Sequence, residues 1–173
     1  MAQFTDWFLA DAEEATELAD ALRDELAEAW PRISLREVNE PELVHLSKIL
    51  LGGAFSYESE VLFPADDETH GIPDDVDLEE EDDEVSDEDD YPRLDEDARD
   101  GGTFVKLVPE EFIHALAAID DGELGELATR WRTRSERLRG CSADDLAAVL
   151  ESMREFAVMA AETNKAVLSA FEI

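Results

Sequence analysis

The chain has 173 residues and carries 47 acidic against 14 basic side chains, for a formal net charge of −33 at pH 7. Such a surface repels phosphate backbones and anionic lipids, which argues against direct nucleic-acid binding and membrane-surface binding and leaves cations and basic proteins as partners. The length fits one domain with one proper core, and a lone cysteine, Cys141, allows no internal disulfide.

In chain order, the aromatic-rich stretch 4–9 reads as an opening strand. Asp11 with Glu14 forms a capping-box pair. Ala15, Leu18, Leu22, Leu26 and Ala29 then recur at helical spacing, predicting a helix that runs to Trp30-Pro31. Asn39 with Glu42 repeats the start signal around Pro41, and Leu43, Leu46 and Leu50 predict a second helix ending at Gly52-Gly53. Residues 54–63 alternate Phe55, Tyr57, Val61 and Phe63 with polar positions, a pattern that a strand, a turn or irregular packing would each produce.

The stretch 66–100 holds 20 acidic residues against only Arg93 and Arg99. It offers no apolar period to bury and repels itself, so a solvated acidic insertion is expected at about 64–101 within a single domain, 1–173. Beyond it, 103–108 reads as a strand broken by Pro109. Pro109, Glu110 and Glu111 have the chemistry of a helix first turn, with Phe112, Ile113 and Leu116 on the buried side. A further helix is predicted from Asp121, with Leu124, Leu127, Ala128, Trp131, Ser135 and Leu138 inward until Gly140. Ser142 with Asp145 caps the last helix, whose stripe is Leu146, Val149, Leu150, Met153, Ala157 and Ala160, with Asn164 as its stop. The apolar end, 166–172, is expected to be a closing strand that pairs with the opening one. The fold class is therefore α+β, four to five amphipathic helices packed on a small sheet.

The order of these elements resembles the YfbM-like family of uncharacterised bacterial proteins. The resemblance rests on the aromatic opening strand and helix, the Ile49–Gly52 helix end, the strand-to-helix segment Phe104–Leu116, and a last helix leading into an apolar strand. It implies an α+β fold and brings no activity or catalytic residues; the acidic run departs from the family pattern.

Two constellations stand out from the acidic background. Arg130, Arg132, Arg134, Arg137 and Arg139 fall within ten positions, and on one helix Arg130, Arg134 and Arg137 would share a face. That face is a candidate interaction strip for carboxylates or phosphates, although pairing with the protein's own acids, Glu126, Glu136 or the run, is the more economical reading. Cys141 follows Arg137 and Arg139 and is the best single nucleophile candidate, a reactive thiol if exposed, against the commoner role of a small apolar group. His45, His70 and His114 match no zinc spacing, and loops starting at Asp75 or Asp87 lack the glycine and glutamate of a calcium loop. No specific cofactor or metal is expected, only weak diffuse cation binding by the run. Trp7, Trp30 and Trp131 are expected as core anchors.

Without its acidic stretch the remainder still carries a net charge of −15, and only three lysines occur, Lys48, Lys106 and Lys165. This chain-wide acidity suits concentrated salt, where the Debye length falls to about 3 Å and self-repulsion is screened. With no basic N-terminal region and no long apolar segment, a cytoplasmic protein is expected. The function expected is non-catalytic binding or regulation. The alternatives are a nucleic-acid mimic or immunity-type inhibitor of a basic partner, and, third, a hydrolase using Cys141 or carboxylates.

Overall fold

The computed structural model describes residues 4–64 and 103–172. Five strands, β1 (Phe4–Ala10), β2 (Arg32–Arg36), β3 (Glu60–Phe63), β4 (Thr103–Leu107) and β5 (Ala166–Glu172), form one sheet in the order β2-β1-β5-β4-β3. All neighbours are antiparallel. The opening and closing strands do pair, and β5 lies between β1 and β4. Segment 65–102 joins β3 to β4, its antiparallel neighbour, so the acidic stretch is inserted where the sheet has a hairpin connection. His70, the calcium-loop stretches at Asp75 and Asp87, and any contact of the run lie outside the described residues.

Five helices cover the sheet, α1 (Ala15–Arg23), α2 (Glu40–Leu51), α3 (Glu110–Ala117), α4 (Leu124–Arg134) and α5 (Ala143–Thr163). The α+β architecture is as the periodicities imply, but the helices are not all on one side. Strand alternation sends Trp7, Leu9, Leu35 and Val167 into a large core shared with α2, α3, α4 and α5. The intervening Phe8, Ala10, Val105, Leu168 and Ala170 meet Ala15, Leu18 and Ala19 of α1 on the opposite face. Two of the three tryptophans, Trp7 and Trp131, are fully buried, and Trp30 is half-buried against the smaller core.

Two helices differ from the sequence expectation. The first helix does not reach Trp30: it ends at Arg23, and Glu25 takes a left-handed conformation (φ 58°). Leu26 N–H donates to Ala21 O (2.7 Å) and Glu25 N–H to Leu22 O (3.2 Å), the pair of bonds that closes a helix around a left-handed residue. The reversal throws Leu26, placed on the inner stripe by spacing, out to 68% exposure. Asn164 closes α5 in the same way (φ 53°), with Lys165 N–H donating to Ala160 O (3.1 Å), and here the expected stop is correct. The helix expected to run from Asp121 to Gly140 is in three pieces, a 3-10 turn at Asp121–Glu123, α4, and a second 3-10 turn at Arg137–Gly140. Between the last two, Ser135 is extended (φ −105°, ψ 125°).

The break at Ser135 has a tertiary cause. Its hydroxyl donates to the carboxyl of Glu42 (3.2 Å) and accepts from Leu138 N–H (3.4 Å), while Trp131 Nε1–H donates to Glu42 O (2.8 Å). Glu42 also accepts from Asn39 N–H (3.1 Å) as the capping-box partner of α2. Buried polar groups demand such partners, and satisfying Glu42 takes precedence over one more turn of α4. Strands β2 and β3 were not predicted as such. β2 buries fully only Leu35, with Ile33 half-buried, too short an alternation to be distinctive, and β3 carries a register shift between Val61 and Phe63.

Because Glu25 occupies a position that glycine fills without steric cost, Glu25→Gly is expected to stabilise the fold by about 0.5–1 kcal/mol, the relief of a left-handed side chain less the added freedom of the unfolded chain. The urea midpoint should rise with an unchanged slope; a lower midpoint would show that the Glu25 side chain stabilises the turn.

Candidate functional site

The first turn of α2 is where polar groups from distant segments converge. Glu40, its first residue, accepts from Lys106 Nζ of β4 (2.6 Å) through one carboxylate oxygen and from Ser59 Oγ (2.6 Å) through the other. Lys106 reaches it because the flanking Val105 and Leu107 turn to the α1 side of the sheet, which sends Lys106 to the side of α2. Its ammonium also lies 5.2 Å from the centroid of the Phe171 ring, which stacks on Phe104 at 5.4 Å. Tyr57 completes the cluster, edge-on to Phe112 at 5.3 Å, and Phe112 is edge-on to Trp7 at 6.4 Å.

The electrostatics follow from this packing. Partial burial pushes the Glu40 carboxyl up, but the hydrogen bonds from Lys106 and Ser59 and the Lys106 charge outweigh it and hold Glu40 below the ordinary carboxylate range. Burial, with the Glu40 charge behind it, raises the Tyr57 hydroxyl well above its usual value, so Tyr57 stays protonated. A carboxylate with lowered proton affinity is a weak base toward the Ser59 hydroxyl, so the short Ser59 contact positions the α2–β3 loop rather than activating a nucleophile.

The residues singled out by sequence are elsewhere. Arg130 and Arg134 are exposed on α4, but the break at Ser135 puts Arg137 in the following 3-10 turn instead of on the same helix. Arg137 pairs with Glu37 (3.6 Å), Arg139 with Glu136 (3.9 Å), and Arg132 donates to Arg139 O (3.1 Å). Arg130 lines a hollow of about 250 Å³ with Glu123 and Glu126 over Ile49, Leu50 and Leu127. Cys141 is half-buried against the large core, its N–H donating to Leu138 O (3.0 Å). His114 is exposed on α3, 3.6 Å from Glu110, in a groove that Cys141 does not line. His45 is on α2, its Nδ1 buried with no hydrogen bond among the described residues.

Among the described residues, no group of three or more histidine, cysteine or acidic side chains is arranged to hold a metal, and no helix is long and apolar enough to cross a membrane. Glu40, Tyr57, Ser59 and Lys106 were missed by sequence reasoning. One signal was available: Lys106, one of only three lysines, interrupts an otherwise apolar strand and must find an anion there. No family model matches the chain, and no curated protein or solved structure does either.

The lowered Glu40 pKa fixes a pH dependence. Its pairing stabilises the fold above its ordinary value of 4.5, and this contribution is lost as pH falls through the lower folded value. Because Glu40 is 42% exposed, Glu40→Gln is expected to cost only about 1 kcal/mol at pH 7. Acidification also relieves repulsion in wild type and variant alike, so the quantity to measure is the difference between their urea stabilities. That difference should shrink as pH falls below 4.5 and through the lower folded value; a constant difference would refute the assigned shift.

Proposed function

We propose that this is a non-catalytic binding or regulatory protein whose surface is adapted to concentrated salt and whose partner is a basic protein. The observation that carries the reading is how the charges are divided. The less exposed cations hold the fold together: Lys106 on Glu40, Lys165 on Asp11 (2.5 Å) and Glu14 (3.4 Å), Arg154 on Asp121, and Arg137 on Glu37. The acids left over are exposed on both sides of the sheet, Glu17 and Asp24 on the α1 side, Glu111, Asp144, Glu151, Glu155 and Glu162 on the other. Coverage of both sides fits adaptation to solvent better than one acidic face would.

The same charge supports a second reading, a nucleic-acid mimic or immunity-type inhibitor of a basic partner, which would concentrate recognition in one region. A hydrolase built on Cys141 or carboxylates ranks below both, since Cys141 packs against the core and Glu40 is a weak base. The proposal includes a cytoplasmic setting and diffuse, weak cation binding, and the likeness in element order to the YfbM-like proteins adds no activity to it.

Salt separates adaptation from simple acidity. The thermal midpoint should rise steadily from dilute buffer to molar KCl as surface repulsion is screened within about 3 Å. The half-buried pair of Lys106 with Glu40 should persist, because salt screens buried pairs much less. A midpoint that stays level or drops would overturn the salt-adapted reading.

A further inference from the structure

A groove of about 370 Å³ runs between α3 and the last turn of α5, within the range of about 300–1,000 Å³ typical of ligand sites. Its floor is apolar, formed by Val108, Ile113, Ala160 and Val167. The floor is also fixed, because Val108 N–H donates to Val167 O (3.0 Å) beyond the last pair of the β4–β5 ladder. Ala160 and Ala161 contribute only methyl groups, which leaves the space between the helices open.

The rim is negative. At one end Glu110 is fully solvent-facing, with the exposed His114 as its neighbour (3.6 Å). At the other end the groove is lined by Lys165, and Asp11 and Glu14, which stand beside the groove rather than in its lining, hold that ammonium between two carboxyls, so the corner as a whole keeps a net negative charge. The Asp11 N–H bond lowers the Glu14 pKa against the opposing effect of burial, and Lys165 adds to the lowering. An anionic ligand is repelled by this rim, and a neutral apolar one leaves it uncomplemented. The matching chemistry is an apolar side chain flanked by cations.

We propose that this groove takes a short basic amphipathic segment of a partner protein. One apolar side chain of that segment sits on the floor between Ile113 and Val167, and a Lys or Arg on either side reaches Glu110 and the Asp11–Glu14 corner. This rests on the reading of the chain as a binder of basic proteins and gives that reading a location.

Labelled peptides test it by fluorescence anisotropy with the full chain. The first peptide alternates arginine with a central leucine, the second replaces the leucine with serine at equal charge, and the third replaces the arginines with glutamine. In dilute buffer the first should bind tightest and the third weakest. In molar KCl the first should still exceed the second by about tenfold, since burying a leucine does not depend on charge. Ala161→Trp, which fills the groove from an exposed position, should abolish that leucine preference, and Glu110→Arg should weaken the first peptide in dilute buffer. Ala148→Trp, exposed on α5 outside the groove, should change neither. If Ala161→Trp, folded by circular dichroism, keeps the leucine preference, the groove is not the site and the binding reading survives. If no basic peptide binds at any salt concentration, both fail.

Discussion

The first turn of α2 is the constraint on which the rest of the structure depends. Within four residues it caps its own helix and anchors two distant parts of the chain. The Glu42 carboxyl takes Asn39 N–H and the Ser135 hydroxyl, and the Glu42 carbonyl takes the indole of the fully buried Trp131. Glu40, two residues earlier, takes Lys106 from the sheet and Ser59 from the following loop. Glu42, Ser135 and Trp131 are all buried, so removing any one of them would strand a polar group away from water, at a cost of roughly 1–3 kcal/mol. The α2–α4 packing, the end of α4 and the approach of the sheet to α2 are thus one linked arrangement.

Cation placement follows the same logic across the molecule. With 14 basic residues against 47 acidic ones, positive charge is scarce, and its less exposed members join elements far apart in sequence. Lys165 ties the end of α5 to the turn after β1, and Arg154 joins α5 to the α3–α4 connection through Asp121 and through Ile119 O (3.2 Å). Partial burial protects a pair such as Lys106–Glu40 from screening, because salt weakens buried pairs much less than exposed ones. A surface placement of the same few cations would give up most of their value.

What the sequence made legible was whatever depends on local chemistry. The capping pairs at Asp11–Glu14, Asn39–Glu42 and Ser142–Asp145, the Pro109 corner and the Asn164 stop are all where spacing puts them, because each is settled within a few residues. The misses are settled by distant partners. Ser135 fits the helical stripe perfectly well, and only Glu42, 93 residues away, draws it out. Leu26 fits the α1 stripe equally well, and no glycine marks the reversal at Glu25. The Arg130–Arg134–Arg137 face was read as continuous for the same reason: its break lies in a contact between elements, invisible to a helical wheel. Lys106 was the exception, a local oddity whose partner could have been sought.

The acidity also bears on how this surface could discriminate among partners. At molar salt the Debye length is about 3 Å, so a carboxylate attracts a cation only at near contact, and charge pattern alone separates basic proteins poorly. Apolar burial does not fade under those conditions, and strongly hydrated salts strengthen it. Selectivity in concentrated salt would therefore have to come from apolar shape, with charge acting only to reject anionic competitors. The α3–α5 groove has both properties, a fixed apolar floor and a negative rim. The floor residues are themselves almost fully covered by their neighbours, so the groove adds little exposed apolar surface, and the surrounding carboxylates keep copies of the chain apart.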